Sequence, residues 1–178
     1  MMRRAASIVG GALLLLGCRG PGRDGGLARE LARLGHRNVI AVVDSAYPAQ
    51  VAPGIDVRVV GGDHIAILER VVAAIRDAKH VRAKVLLDAE LAAVTEAMAP
   101  GIDAYRTALT AALRDLPITR LPHEQVIRTL DDTAKSFTVL ILKTDLTLPY
   151  TSVFLELDCG YWDGEREAAL RAAIAAGK

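Results

Sequence analysis

Four short segments carry side chains that could move protons or bind hydroxyl groups. Asp44 directly follows the run Val39-Ile40-Ala41-Val42-Val43. Ligands of open α/β sheets bind beyond the carboxyl ends of the strands, and Asp44 stands at such an end. His36 stands just before the same run, after the helix-ending Gly35. A histidine in a loop rather than in an apolar run is a candidate general acid or base. His123 follows Pro122 at an expected helix start. The positive end of a helix dipole disfavours the imidazolium. A neutral ring there suits one hydrogen bond to a hydroxyl-rich ligand, and the position suits a helix-capping or surface histidine equally. Pro149-Tyr150-Thr151-Ser152 sets a phenol and two hydroxyls on a loop ahead of a strand. The chemistry within reach is proton transfer at histidine and hydrogen bonding to a polar ligand.

The elements that must position these groups follow from apolar periodicity and stop signals. Leu27 to Leu34 has helical spacing and ends at Gly35, a natural C-cap. Val39 to Val43 is a continuous β-branched run, which suits a strand buried on both faces of a parallel sheet. Val57 to Val60 predicts a second strand closed by Gly61-Gly62, and Asp63 caps a helix from His64 to Ala78. Val81 to Leu87 reads as a strand, Glu90 to Met98 as a helix ended by Pro100-Gly101, and Asp103 to Leu116 as a helix stopped before Pro117. Ile118 to Leu121 follows as a short strand, and Pro122 suits the first position of a helix running to Ala134. Phe137 to Leu142 and Ser152 to Leu157 are the last strands, and Asp163 caps an Ala-rich terminal helix to Ala176. Strands alternating with helices predict an α/β fold of three layers, a mostly parallel sheet flanked by helices, with an extra C-terminal helix.

Composition narrows the function. Hydrophobic residues make up 52% of the 178, ample for a core, while aromatics are only 4%. Few aromatics and a net charge of +1 argue against nucleic acid as a partner, which needs stacking rings or cationic surface. Two cysteines exclude a disulfide framework, and no Cys/His cluster has zinc spacing. The glycine pairs lack a phosphate-loop pattern, and neither a dinucleotide fingerprint nor a Gly-x-Ser-x-Gly elbow occurs. His64 and His80 read as surface or capping residues, Cys159 as a small core residue, and Trp162 as packing the C-terminal extension.

The first residues read as a signal. Arg3-Arg4 precede an uncharged apolar stretch from Ala5 to Leu16, too short to span ~30 Å of hydrocarbon as a helix. The ending Leu15-Leu16-Gly17-Cys18 resembles a bacterial lipobox. That resemblance implies cleavage of residues 1–17 and acylation of Cys18, so the mature chain is expected to be exported and held at a membrane by its lipid alone. The other readings are an ordinary secretory signal, or a start codon set too far upstream of a cytoplasmic protein. Losing residues 1–17 removes two Arg and no acids and moves the net charge from +1 to −1. Residues 18–26, with four Gly and one Pro, read as a tether ahead of a single domain over 27–178.

Taken together, Leu34-Gly35-His36-Arg37-Asn38, Asp44-Ser45-Ala46-Tyr47-Pro48-Ala49, His123-Glu124-Gln125 and Pro149-Tyr150-Thr151-Ser152 resemble, in that order, the ribose pyranase and fucose mutarotase family. Asp103 to Leu109 is similar to the fucose branch. The resemblance covers most of Leu27 to Gly160. It implies an isomerase that interconverts ring forms or anomers of a free monosaccharide, ribose-like or fucose-like, without a cofactor. It implies His36 as the acid/base residue and Asp44 as an acceptor for sugar hydroxyls. His123, Tyr150, Thr151 and Ser152 would complete the pocket, and the subunits would form a homo-oligomeric ring with pockets shared between neighbours. The chain departs from the family in Ser152, where Asn is usual, in a longer stretch between His123 and Tyr150, in the terminal helix after Gly160 and in the lipobox. Those departures leave a non-catalytic sugar-binding lipoprotein, or a structural one, as the alternatives.

Overall fold

The computed structural model describes residues 24–177. The expected signal peptide and Cys18 lie outside the described residues. In chain order the elements are α1 (Asp24–Arg33), β1 (Val39–Val43), β2 (Ile55–Val59), α2 (His64–Asp77), β3 (Val81–Asp88), a 3-10 turn (Ala89–Ala92), α3 (Ile102–Ala112), β4 (Ile118–Leu121), α4 (His123–Ala134), β5 (Val139–Lys143), β6 (Val153–Cys159) and α5 (Gly164–Ala175). Helix α1 begins three residues inside the expected tether.

The six strands form one sheet in the order β2-β5-β1-β6-β3-β4. The pairs β1/β5, β2/β5 and β3/β4 are parallel. Strand β6 alone runs antiparallel, between β1 and β3. The sheet therefore has the expected mostly parallel character with helices on both faces. One face packs Ile40, Val42, Val85 and Leu155 against Leu31, Leu68, Val71 and Leu109 of α1, α2 and α3. The other packs Ala41, Val43, Ile141 and Phe154 against Val126 and Leu130 of α4. All five residues of β1 are buried, as a strand covered on both faces must be. Helix α5 buries none of its residues and stands apart from both layers.

The caps behave as their chemistry requires. Asp63 accepts from Ala66 N at 2.8 Å and Asp163 from Arg166 N at 2.8 Å. Two expectations fail for one shared reason. Glu90 to Met98 is not a helix; only the 3-10 turn forms there. The acids of this segment serve other helices instead. Glu90 takes the His123 N–H at the start of α4 on both carboxylate oxygens, at 3.0 Å each, and Glu96 takes the Asp103 N–H at the start of α3 at 3.1 Å. Pro122 stands at the N-cap, one residue before the expected first helical position; it makes no side-chain cap bond, and Glu90 takes the His123 N–H from 33 residues away.

His64 is not a surface residue. It is 2% exposed, its Nε2–H donates to the Val42 carbonyl at 3.1 Å, and its ring meets that of Tyr105 edge-on. His80 does cap: Nε2 lies 2.9 Å from the Leu31 carbonyl and 3.2 Å from that of Leu34, at the end of α1. Cys159 is a half-buried free thiol at the end of β6 rather than a core residue. Trp162 stays within the extension, donating to Glu167 at 2.9 Å.

Burial holds the His64 imidazole neutral, with its pKa below the ordinary histidine value. The unfolded chain takes a proton on this residue as pH falls through about 6.5, while the folded chain refuses it until lower pH. Stability is therefore complete above that pH and falls as the solution is acidified. Chemical denaturation midpoints between pH 7.5 and 5 are expected to fall for wild type and to fall less for His64→Gln. Equal slopes for the two proteins would refute this.

Candidate functional site

Because β6 is antiparallel to its neighbours, its N-terminal end meets the C-terminal ends of β1 and β3. The β6 register pairs Val153 with Val42 of β1 and with Leu87 of β3, so the next step in each direction brings Ser152 level with Val43 and Asp88. Asp44 and Asp88 thus leave the sheet where the 150–152 segment enters it. His123 arrives at the same edge, two residues after β4 ends at Leu121.

Asp44 closes a tight turn after β1. One oxygen, Oδ1, accepts from Ala46 N at 2.8 Å; the other, Oδ2, accepts from Ser152 Oγ at 3.3 Å. A carboxylate offers about four lone-pair directions, so both oxygens keep capacity for further donors. The Ser152 side chain is buried and its hydroxyl is spent on Asp44.

Asp88 was not among the candidates read from the sequence, although it follows the apolar Val85-Leu86-Leu87 at a strand end as Asp44 follows β1. It is 2% exposed, and its Oδ2 accepts from His123 Nδ1 at 3.1 Å. Its Oδ1 is buried without any hydrogen-bond partner among the described residues. Burial raises the Asp88 pKa above the ordinary range, the bond from His123 pulls it back, and the charges of Glu90 and Asp44 push it up again. The side chain of His123 is 40% exposed, against 1% for that of Asp88. Tyr150 covers the ring edge-on, with centroids 5.6 Å apart. Tyr150 adopts φ 56, the left-handed region, which costs a non-glycine residue about 1–3 kcal/mol and is concentrated at functional sites.

Two sequence candidates remain, Thr151 and His36. Thr151 is fully buried, with its hydroxyl given to the Leu148 carbonyl at 2.8 Å and its own carbonyl taken by Tyr105 at 2.8 Å. It anchors the loop. His36 is exposed on the turn before β1, beyond the opposite end of the strand from Asp44. A strand rises about 3.3 Å per residue, so β1 alone keeps them ~17 Å apart. The His36 turn is firmly held. Arg37 takes φ 72, and its N–H donates to the Leu157 carbonyl at 2.7 Å. The Asn38 side chain bridges Gly35 and Thr138, at 3.0 and 2.8 Å.

Among the described residues no group of three or more His, Cys, Asp or Glu side chains is disposed to hold a metal ion. A concavity of about 580 Å³ lies near α1 and α2, lined by Arg58 and Arg70; Arg58 is paired with Glu30 and Asp56, at 3.0 and 2.6 Å, and none of His36, Asp44, Asp88, His123 or the 150–152 segment lines it.

Among solved structures, the chain is similar to Bacillus subtilis RbsD complexed with D-ribose, at 22% identity and a TM-score of 0.52, over 78% of this chain and 93% of that one. It is also similar to the fucose mutarotase of Streptococcus pneumoniae in complex with L-fucose, at 19% identity and a TM-score of 0.50, over 74% of this chain and 89% of that one. No family model matches the sequence and no curated protein does. Identities this low establish a shared fold.

Proposed function

We propose that this protein interconverts the ring forms or anomers of a free monosaccharide, of the pentose or 6-deoxyhexose class, by acid/base catalysis without a cofactor. The observation that carries the reading is the cluster at one sheet edge. Two carboxylates, Asp44 and Asp88, flank Ser152 there, beside an imidazole and a phenol ring. The half-buried carboxylate of Asp44 suits the hydroxyl donors of a sugar, and an aromatic ring suits its C–H surface. The shared fold with structures that hold D-ribose and L-fucose supports the same reading.

Ring opening requires modest chemistry. The anomeric hydroxyl loses a proton, the bond from the anomeric carbon to the ring oxygen breaks, and the ring oxygen gains a proton. Rotation of the open aldehyde and closure complete the exchange. His36 serves as an acid/base group, Asp44 orients the sugar through its hydroxyls, and Tyr150 walls the pocket. Since β1 separates His36 from Asp44, a site that uses both is assembled from two copies of the chain, in keeping with a homo-oligomer.

One observation favours a second reading, sugar binding without catalysis: the hydroxyl of Ser152 is turned to Asp44. NMR exchange spectroscopy on ribose and on fucose separates the two. Accelerated exchange with one sugar, reduced about 100-fold by His36→Ala, is the expected result. Saturable binding with no acceleration would select the second reading, and no affinity for either sugar would defeat both.

A further inference from the structure

The buried Asp88 has no role in the chemistry so far, yet its position is costly. On the α4 face of β3 it follows Leu86, where an apolar side chain would pack without penalty. A buried carboxyl group with an unpartnered oxygen persists in a fold only when something requires it.

We propose that Asp88 is a positioning residue that fixes His123 as a second proton carrier of the sugar site, complementary to His36. The inference rests on the function proposed above. A carboxylate only accepts, so the 3.1 Å contact requires the hydrogen of the neutral ring to be on Nδ1. Nε2 is then the bare acceptor. It has no partner among the described residues, on a ring whose side chain is 40% exposed. Two further contacts fix the residue: the backbone N–H of His123 is clamped by both oxygens of Glu90, and the Tyr150 ring meets the imidazole in a T-shaped arrangement. The raised pKa of Asp88 is consistent with a carboxyl group whose charge is supported by little besides this imidazole.

Ring opening needs two proton transfers, and this arrangement supplies the second. Nε2 of His123 takes the proton of the anomeric hydroxyl, whose O–H electron pair becomes the π bond of the aldehyde. The electron pair of the breaking bond goes to the ring oxygen, which takes a proton from the imidazolium form of His36. Closure runs the transfers backwards on either face of the aldehyde, so both groups end as they began. Asp88 keeps its charge throughout and stabilises the imidazolium formed at His123.

The test uses the full chain with 15N-labelled histidine, His123→Gln to assign its signals, and Asp88→Asn as the variant. The substitution preserves the shape of the side chain and allows an amide N–H to face Nδ1 in place of a carboxylate oxygen, which favours the Nε2–H tautomer. In wild type His123 is expected to have its hydrogen on Nδ1, and in Asp88→Asn to lose that pattern. The sugar exchange rate at saturation is expected to fall about 10-fold or more while the KM changes less than about 3-fold. Unchanged nitrogen shifts in Asp88→Asn would overturn the proposal, as would an unchanged rate alongside an altered tautomer. A wild-type protein that accelerates neither sugar would overturn the proposed function and the proton transfer at His123. The nitrogen shifts would then tell whether Asp88 nonetheless sets the ring.

Discussion

Cells that make His36→Ala and Asp44→Ala chains together are expected to yield protein that catalyses sugar ring exchange, although each variant alone is inactive. The expectation follows from β1. Its five buried residues leave His36 and Asp44 beyond opposite ends of the strand, too far apart for one sugar to touch both. If both residues serve the proposed reaction, each site draws its histidine and its carboxylate from different chains. With equal amounts of the two variants assembling at random, about a quarter of the sites in the oligomer receive both intact residues. About a quarter of wild-type activity should therefore return, a large signal against variants each expected to be down about 100-fold or more. If mixing restores nothing while the separately made variants stay inactive and assembled, the two residues do not share a site across subunits. If His36→Ala alone keeps its activity, His36 is not a proton carrier.

The second large effect is on stability. Phe154 is fully buried in β6, level with Ala41 of β1 and Leu86 of β3. Its ring lies 6.3 Å from that of Tyr47, tilted by 55°, within the cluster that contains Val126 and Leu130 of α4. Phe154→Ala removes the largest fully buried side chain. The β6 backbone is held by ladder hydrogen bonds on both sides, which limits collapse into the space. The expected loss is about 3–5 kcal/mol, against the ~5–15 kcal/mol that holds a typical domain together. Urea denaturation should detect it directly. A loss below about 1 kcal/mol would mean that the sheet and α4 close over the cavity. The site should suffer as well, because Ser152 and Tyr150 lead into the same strand.

What the chain reveals on its own is what depends on near neighbours. The apolar run Val39–Val43 had to be a doubly covered strand. Asp63 and Asp163 each had to cap a helix, since the donor they serve lies three residues on. The placement of Asp44 at a strand end followed from the same run. Alternating strands and helices then implied three layers. These readings hold because apolar period and cap chemistry act over about one turn of chain.

The tertiary structure decided what depends on distant partners. Nothing local tells that β6 inserts antiparallel between β1 and β3, yet that choice brings Ser152 to Asp44 across 108 positions of sequence. Asp88 looked like the end of a strand and no more. Its meaning comes from His123, 35 residues further on, and from the burial of its carboxyl group on the α4 side of the sheet. A cue was present, an acid directly after an apolar β run, as at Asp44. His64 read as a helix opener, and only the packing of α2 and α3 on the sheet shuts its ring in against Val42 and Tyr105. Glu90 and Glu96 read as helical residues and became caps for α4 and α3. Helix and strand tendencies are properties of a few adjacent residues, whereas a site at a sheet edge is a property of strand order, which is set only when the whole chain packs.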